Sequence, residues 1–209
     1  MEWHNTDAQN LAIIDREIGD NQFSPAQYEI VRRVIYATGD LEYKTLIRFS
    51  DRALQAGAAA LAARSTIVVD LPMVQVGIEP SIENTFANPV YCSINALDGM
   101  GIGKPSVSLG IEILARRYPE AIFVISQGQA ALTALLELIE SEEVRPALVI
   151  GAPAGFVDVD VAKQRLNDAS VPHIRIDGRK GSAVVATAII DGLVDLAWQA
   201  YRQDASVGG

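Results

Sequence analysis

An α/β fold, with a mostly parallel sheet flanked by helices and a helical N-terminal arm, is what this sequence predicts. Five short apolar runs, "TIVVDL", "PVYCSI", "AIFVIS", "ALVIG" and "HIRID", have the length and β-branched content of buried strands. Helical stretches separate them, and strand alternating with helix marks an α/β sheet. The first third reads as helix. The expected organisation is a single domain over 1–209, with residues 1–64 as the arm and 65–200 as the α/β core.

The first helix is "DAQNLAIIDREIG", where Leu11, Ile14 and Ile18 repeat at three and four to make one apolar face. The second is "SPAQYEIVRRVIYATG". Ser24 is an N-cap, Pro25 takes the first helical position, and Gly39 ends the helix. Tyr28, Val31, Val34 and Ile35 form its stripe. "DRALQAGAAALAAR" is a third helix, rich in alanine and so suited to close packing. Between the strands come "SVSLGIEILARRY", "AALTALLELIES" and "VDVAKQRLND", and "SAVVATAIIDGLVDLAWQAYR" closes the pattern.

Composition removes several functions. With 209 residues, a net charge of −9 and a pI of about 4.7, the chain lacks the dense positive charge that nucleic acid binding draws on. No apolar run reaches the ~18–20 residues of a membrane span, and no secretory leader is expected. Cys92 is the only cysteine, which excludes an internal disulfide and a cysteine-rich metal site. It reads as a small buried strand residue, and the composition fits the cytoplasm. With only His4 and His173, a metal site with several histidines is excluded, and any histidine-activated nucleophile must use one of the two.

Ligands of open α/β sheets sit beyond the carboxyl ends of the strands. There the sequence reads "DLPMVQVGI", "SINALDGMGIGKPS", "ISQGQAAL", "IGAPAGFVD" and "IDGRKGSAV". These exits are rich in glycine and proline, and several enter a helix at once, so backbone N–H groups can approach an anion. Arg179 and Lys180 add formal charge at the last exit. "GMGIGKPS" fails as a phosphate loop, because Asp98 stands where the first glycine belongs and Pro105 where Ser or Thr is required. Asp158 and Asp160 suit a helix start better than a metal. Asp70 ends a strand, where an acid serves either turn geometry or chemistry.

Taken in order, "LAIIDREIG", "VRRVIYATGD", "VVDLPMVQVGI", "ALVIGAPAGFVD", "AKQRL" and "VPHIRIDGRKGSAVVATAIIDGL" resemble the precorrin-8X methylmutase family of cobalamin biosynthesis, from about Asn10 to Leu193. The pair "GAPAGFV" and "GRKGSA" at its separation is the most specific piece. The resemblance implies an isomerase that moves a methyl group from C-11 to C-12 of a corrinoid carrying many carboxylates. It also implies that no cofactor is used and that a homodimer holds its ligands at the subunit interface. Arg33 matches the family's substrate-contacting arginine, and Asn10 stands at its serine contact. The same resemblance makes Thr38, Met73, Gln127, Gly128, Pro153, Gly155, Phe156, Arg179, Lys180, Gly181 and Ser182 candidates for substrate binding. Gln127 and Gln129 depart from the usual asparagine and proline, and Lys104 stands in a segment that carries arginine in the family.

The main departure is Tyr36, which aligns with the family's catalytic histidine. Either its hydroxyl donates to the macrocycle, or the chain is a tetrapyrrole binder or carrier without turnover, or the ring packs as an ordinary core aromatic and the pocket serves another ligand.

Overall fold

The computed structural model describes residues 5–97 and 107–207. His4 and the "GMGIGKPS" stretch with Lys104 lie outside them. In chain order come α1 (Asn5–Ile18), α2 (Pro25–Thr38), α3 (Tyr43–Leu46), β1 (Ile47–Phe49) and α4 (Ala53–Ala62). Then follow β2 (Ile67–Val69), α5 (Pro72–Glu83), β3 (Val90–Cys92), a 3₁₀ turn (Asn95–Leu97) and α6 (Val107–Arg117). The last third holds β4 (Ile122–Gln127), α7 (Gln129–Glu140), β5 (Leu148–Ala154), α8 (Val159–Asp168), β6 (His173–Ile176) and α9 (Ala183–Val207).

The strands form one sheet in the order β1-β6-β5-β4-β2-β3, parallel except for β1. All five expected strands are present. β1 was not expected. It pairs antiparallel with β6, Ile47 opposite Ile176 and Arg48 opposite Arg175, so the N-terminal third adds an edge to the sheet as well as helices. The chain reverses its strand order between β2 and β4, so the topological switch point lies at their carboxyl ends.

Both faces of the central strands are buried, which explains their near-continuous apolar character. Ile122 and Val124 of β4 face one core with Ile67 and Val69 of β2 and Leu148 and Ile150 of β5. The intervening Phe123, Ile125, Val68 and Val149 face the other. The first core is closed by α2, α4, α5 and α9, the second by α6, α7 and α8.

The α2 caps are as the sequence reads: Ser24 Oγ accepts from Gln27 N, the Gln27 side chain accepts from Ser24 N, and Gly39 adopts φ 66° to end the helix. "DLPMVQVGI" is corrected from a strand-exit loop to the start of α5, with Pro72 in its first turn. α9 corrects the membrane reading. Over Ala183–Gln203 it is long and apolar enough, by length and composition, to cross a membrane. Its apolar face instead packs against α2, α4 and α5, burying Val185, Ile189, Ile190, Leu193 and Val194, while Asp191 bonds Ser81.

Candidate functional site

The strand tips are tied together by buried polar groups. Asp70, fully buried just after β2, accepts from Ser126 N at 2.7 Å, Ser126 Oγ at 2.7 Å and Gln127 N at 2.6 Å. Its own carbonyl accepts from Ser93 Oγ at 3.0 Å. Burial raises the carboxyl pKa and the three donors pull it back, with burial the larger effect. Asp70 therefore joins the tips of β2 and β4 at the switch point and fixes the turn that carries Gln127 and Gly128. Its geometry is that of a structural staple.

Beside it lie the β5 and β6 exits. Pro153 is buried, Gly155 N donates to Arg179 O at 3.1 Å, and Ser182 caps the start of α9 by accepting from Val185 N at 3.4 Å. Gly181 has φ 151°, and a Cβ there would lie 2.3 Å from the carbonyl oxygen of Ala152. Only glycine lets this loop rest on the β5 backbone. Gly181→Ala is expected to cost about 3 kcal/mol in denaturant unfolding and to displace residues 178–182.

Lys163, which the sequence reading passed over inside "AKQRL", is 2% exposed. Its Nζ donates to Gly178 O and Lys180 O, both at 2.7 Å. Burial lowers its pKa to about 8. The unfolded chain, with lysine near its usual value of about 10.4, then binds more protons than the folded one between those values. The Lys163 contribution to stability therefore rises with pH through that window. Urea midpoints measured across it will climb more steeply in the natural protein than in Lys163→Met.

Lys180 is not the open cation the sequence suggests. Its Nζ meets Asp40 Oδ2 at 2.5 Å and Glu42 Oε2 at 2.6 Å, bonds that hold its pKa well above the ordinary lysine value. Arg179 is exposed, makes no ion pair among the described residues, and lies 5.4 Å from the ring centre of Phe156, itself 84% exposed. Tyr43 stands next to the loop with Lys180 Nζ over its ring at 5.9 Å, which brings the end of α2 to the β6 exit.

At that end of α2 a cavity of about 550 Å³ is lined by Asn10, Ile13, Ile14 and Glu17 of α1 and by Ile35, Tyr36, Gly39 and Leu41. Tyr36 is half-buried, and its hydroxyl donates to Asp7 Oδ1 at 2.5 Å. The Asp7 bond, then desolvation and the Asp7 charge, raise the phenol pKa, while the Asn10 amide donates to the same oxygen and lowers it. Asn10 and Tyr36 thus come together, and a second tyrosine–carboxylate bond, Tyr28 to Asp15 at 2.6 Å, holds α1 and α2 at the same interval along both helices.

Other candidates stand elsewhere or do other work. Arg33 turns onto α9, pairing with Asp195 at 2.7 Å and Glu29 at 3.4 Å, and does not line the cavity. Thr38 Oγ1 donates to Val34 O at 2.7 Å inside its own helix. Met73 is 66% exposed in the first turn of α5. His173 is buried in β6 with Nδ1 3.0 Å from Val171 O, and burial pushes its pKa down. Asp158 occupies the N-cap position of α8 at φ 53° without a side-chain capping bond, so backbone geometry rather than capping places it there. Cys92 is buried, as expected. No group of three His, Cys, Asp or Glu suited to a metal is present among the described residues.

The precorrin-8X methylmutase family profile matches residues 6–196. The chain belongs to the precorrin-8X methylmutase family. It is 36% identical to the cobalt-precorrin-8 methylmutase of Synechocystis sp., with 91% of this chain and 94% of that one covered. Identity to the cobalt-precorrin-8 methylmutase of Leptospira interrogans is 32%, over 91% of this chain and 92% of that one. The fold superimposes on the crystal structure of precorrin-8X methyl mutase from Thermus thermophilus with a TM-score of 0.85 and 34% identity, covering 94% of this chain and 99% of that one.

Proposed function

We propose that this chain is a methylmutase that moves the methyl group from C-11 to C-12 of precorrin-8X or its cobalt form, giving hydrogenobyrinic acid or cobyrinic acid. The observation that carries the reading is the family match over residues 6–196, together with relatives named for this reaction. The methyl bond to C-11 breaks as the bond to C-12 forms, so substrate and product are isomers. The protein has to orient a flat polyacid and withdraw electron density from its ring.

In this reading the phenol of Tyr36 turns its proton from Asp7 to the macrocycle, while the Asn10 amide, donating to the phenol oxygen, strengthens it as a donor. A phenol is a weaker acid than imidazolium by ~3–4 pKa units, so turnover is slower than with histidine. Arg179 and the backbone of residues 153–156 and 178–182 receive carboxylates. The reading includes a cytoplasmic homodimer with the ligand at the subunit interface. The exposed Phe156, Val157, Met73 and Val76 supply apolar surface for such contacts, and sedimentation will give twice the chain mass.

The test is incubation of the purified protein with precorrin-8X while the visible spectrum is followed. Product accumulation beyond one equivalent is expected. A stoichiometric spectral change without turnover would instead identify a binder or carrier.

A further inference from the structure

We propose that Lys163 is a positioning residue of the substrate site, building from behind a backbone loop that receives a substrate carboxylate. The inference rests on the methylmutase reading above and concerns a side chain that lies beneath the loop. Three consecutive carbonyls of the β6–α9 loop are turned inward to one structural unit. Those of Gly178 and Lys180 accept from Lys163 Nζ at 2.7 Å each, and that of Arg179 accepts from Gly155 N at 3.1 Å. Lys163 and Gly155 both belong to the β5–α8 connection and helix.

In a trans peptide the N–H points opposite to the C=O, and there are no cis bonds among the described residues. The N–H groups of Arg179 and Gly181 therefore face away from Lys163. That of Gly181 meets the Tyr43 hydroxyl. That of Lys180 closes the turn over Gly178 and Arg179, and that of Arg179 is left without an acceptor among the described residues. The outward Arg179 N–H is thus free to donate to an anion on the solvent side. The exposed Arg179 guanidinium lies on the same loop, whereas the Lys180 charge is already matched by Asp40 and Glu42.

The choice of lysine is informative. No carboxylate lies within ion-pair distance of Lys163 among the described residues, and a buried cation without such a partner is costly. A neutral amide would satisfy loop carbonyls more cheaply. A cation here does two things together: it turns the Gly178 and Lys180 carbonyls inward and places positive charge behind the outward Arg179 N–H. Both favour an anion on the solvent side, in a protein whose net charge is −9.

The experiment compares the full-length natural protein with Lys163→Met and Lys163→Gln. Steady-state turnover of precorrin-8X, equilibrium titration with hydrogenobyrinic acid and thermal unfolding are measured on each. Lys163→Met is expected to raise KM and the product Kd about tenfold, the scale of one charge-assisted contact, with kcat within about threefold. Lys163→Gln, which keeps a donor and loses the charge, serves where the methionine variant fails to fold and is expected to raise both constants about fivefold. A folded variant with KM and Kd within about twofold of the natural protein would overturn the proposal, whatever its thermal midpoint. If the natural protein binds product without turning over substrate, the methylmutase reading fails and the Kd comparison still decides the role of Lys163. If it neither binds nor turns over, both fall.

Discussion

Tyr36→Phe will lower turnover of precorrin-8X by about 10²- to 10⁴-fold, the range typical of a positioned general acid. The substitution keeps the ring beside Ile35 and Ala37 and removes only the hydroxyl that joins Asp7 and Asn10. Folding is preserved, because the residues holding α2 to the core are Ile30, Val31, Val34 and Ile35, all buried. Tyr36→His will move turnover upward, since imidazolium releases a proton near neutral pH and phenol does not. Single-turnover absorbance measurements on the three proteins check both directions. A Tyr36→Phe protein with undiminished turnover would remove the hydroxyl from the mechanism and leave the strand-tip loops as the whole of the site.

Asp70→Ala will destabilise the protein by about 3–5 kcal/mol in urea unfolding, the range for deserting buried partners of a charged group. Three donors, Ser126 N, Ser126 Oγ and Gln127 N, lose their acceptor in an interior where Asp70 is inaccessible to solvent. Total domain stability is about 5–15 kcal/mol, so the variant will stand close to the unfolding threshold. Asp70→Asn will be milder, at about 1–2 kcal/mol. Its amide oxygen can keep both backbone donors, Ser126 N and Gln127 N, while Nδ2 faces Ser126 Oγ, whose hydroxyl must turn from donor to acceptor and give up its own acceptor. The turn at Gln127 and Gly128 will loosen first, so ligand affinity will fall further than the thermal midpoint suggests.

What the sequence disclosed follows from where its signals are local. β2, β4 and β5 are buried on both faces, so each is an apolar run that stands out without its neighbours. β1 has no such mark. Ile47-Arg48-Phe49 is three residues long with an outward arginine, and its partner is 129 positions away at Ile176. α5 was hidden because Pro72 reads as a turn, although proline at a helix start is favourable, and because valines and Pro80 suggest anything but a helix.

Lys163 did leave a trace. Val159, Ala162, Lys163 and Leu166 share one helical face, so a charge sits within an apolar stripe. That pattern marks a buried lysine needing acceptors. The placement of Arg33 followed no local rule: its partner Asp195 belongs to the last helix, and only the folded chain brings the two together. Lys180 misled for the same reason, since "DGRKGS" advertises positive charge while the neutralising Asp40 and Glu42 lie far upstream.

The antiparallel pairing of β1 with β6, and the packing of α2 on α9, bear on how this protein is made. During synthesis the first third leaves the ribosome long before either partner exists. Ile30, Val31, Val34 and Ile35 must then wait, greasy and unclaimed, until the final helix emerges. Such a nascent chain invites chaperone capture. A stop codon just ahead of that helix would yield material fit only for degradation, however intact its leading segment.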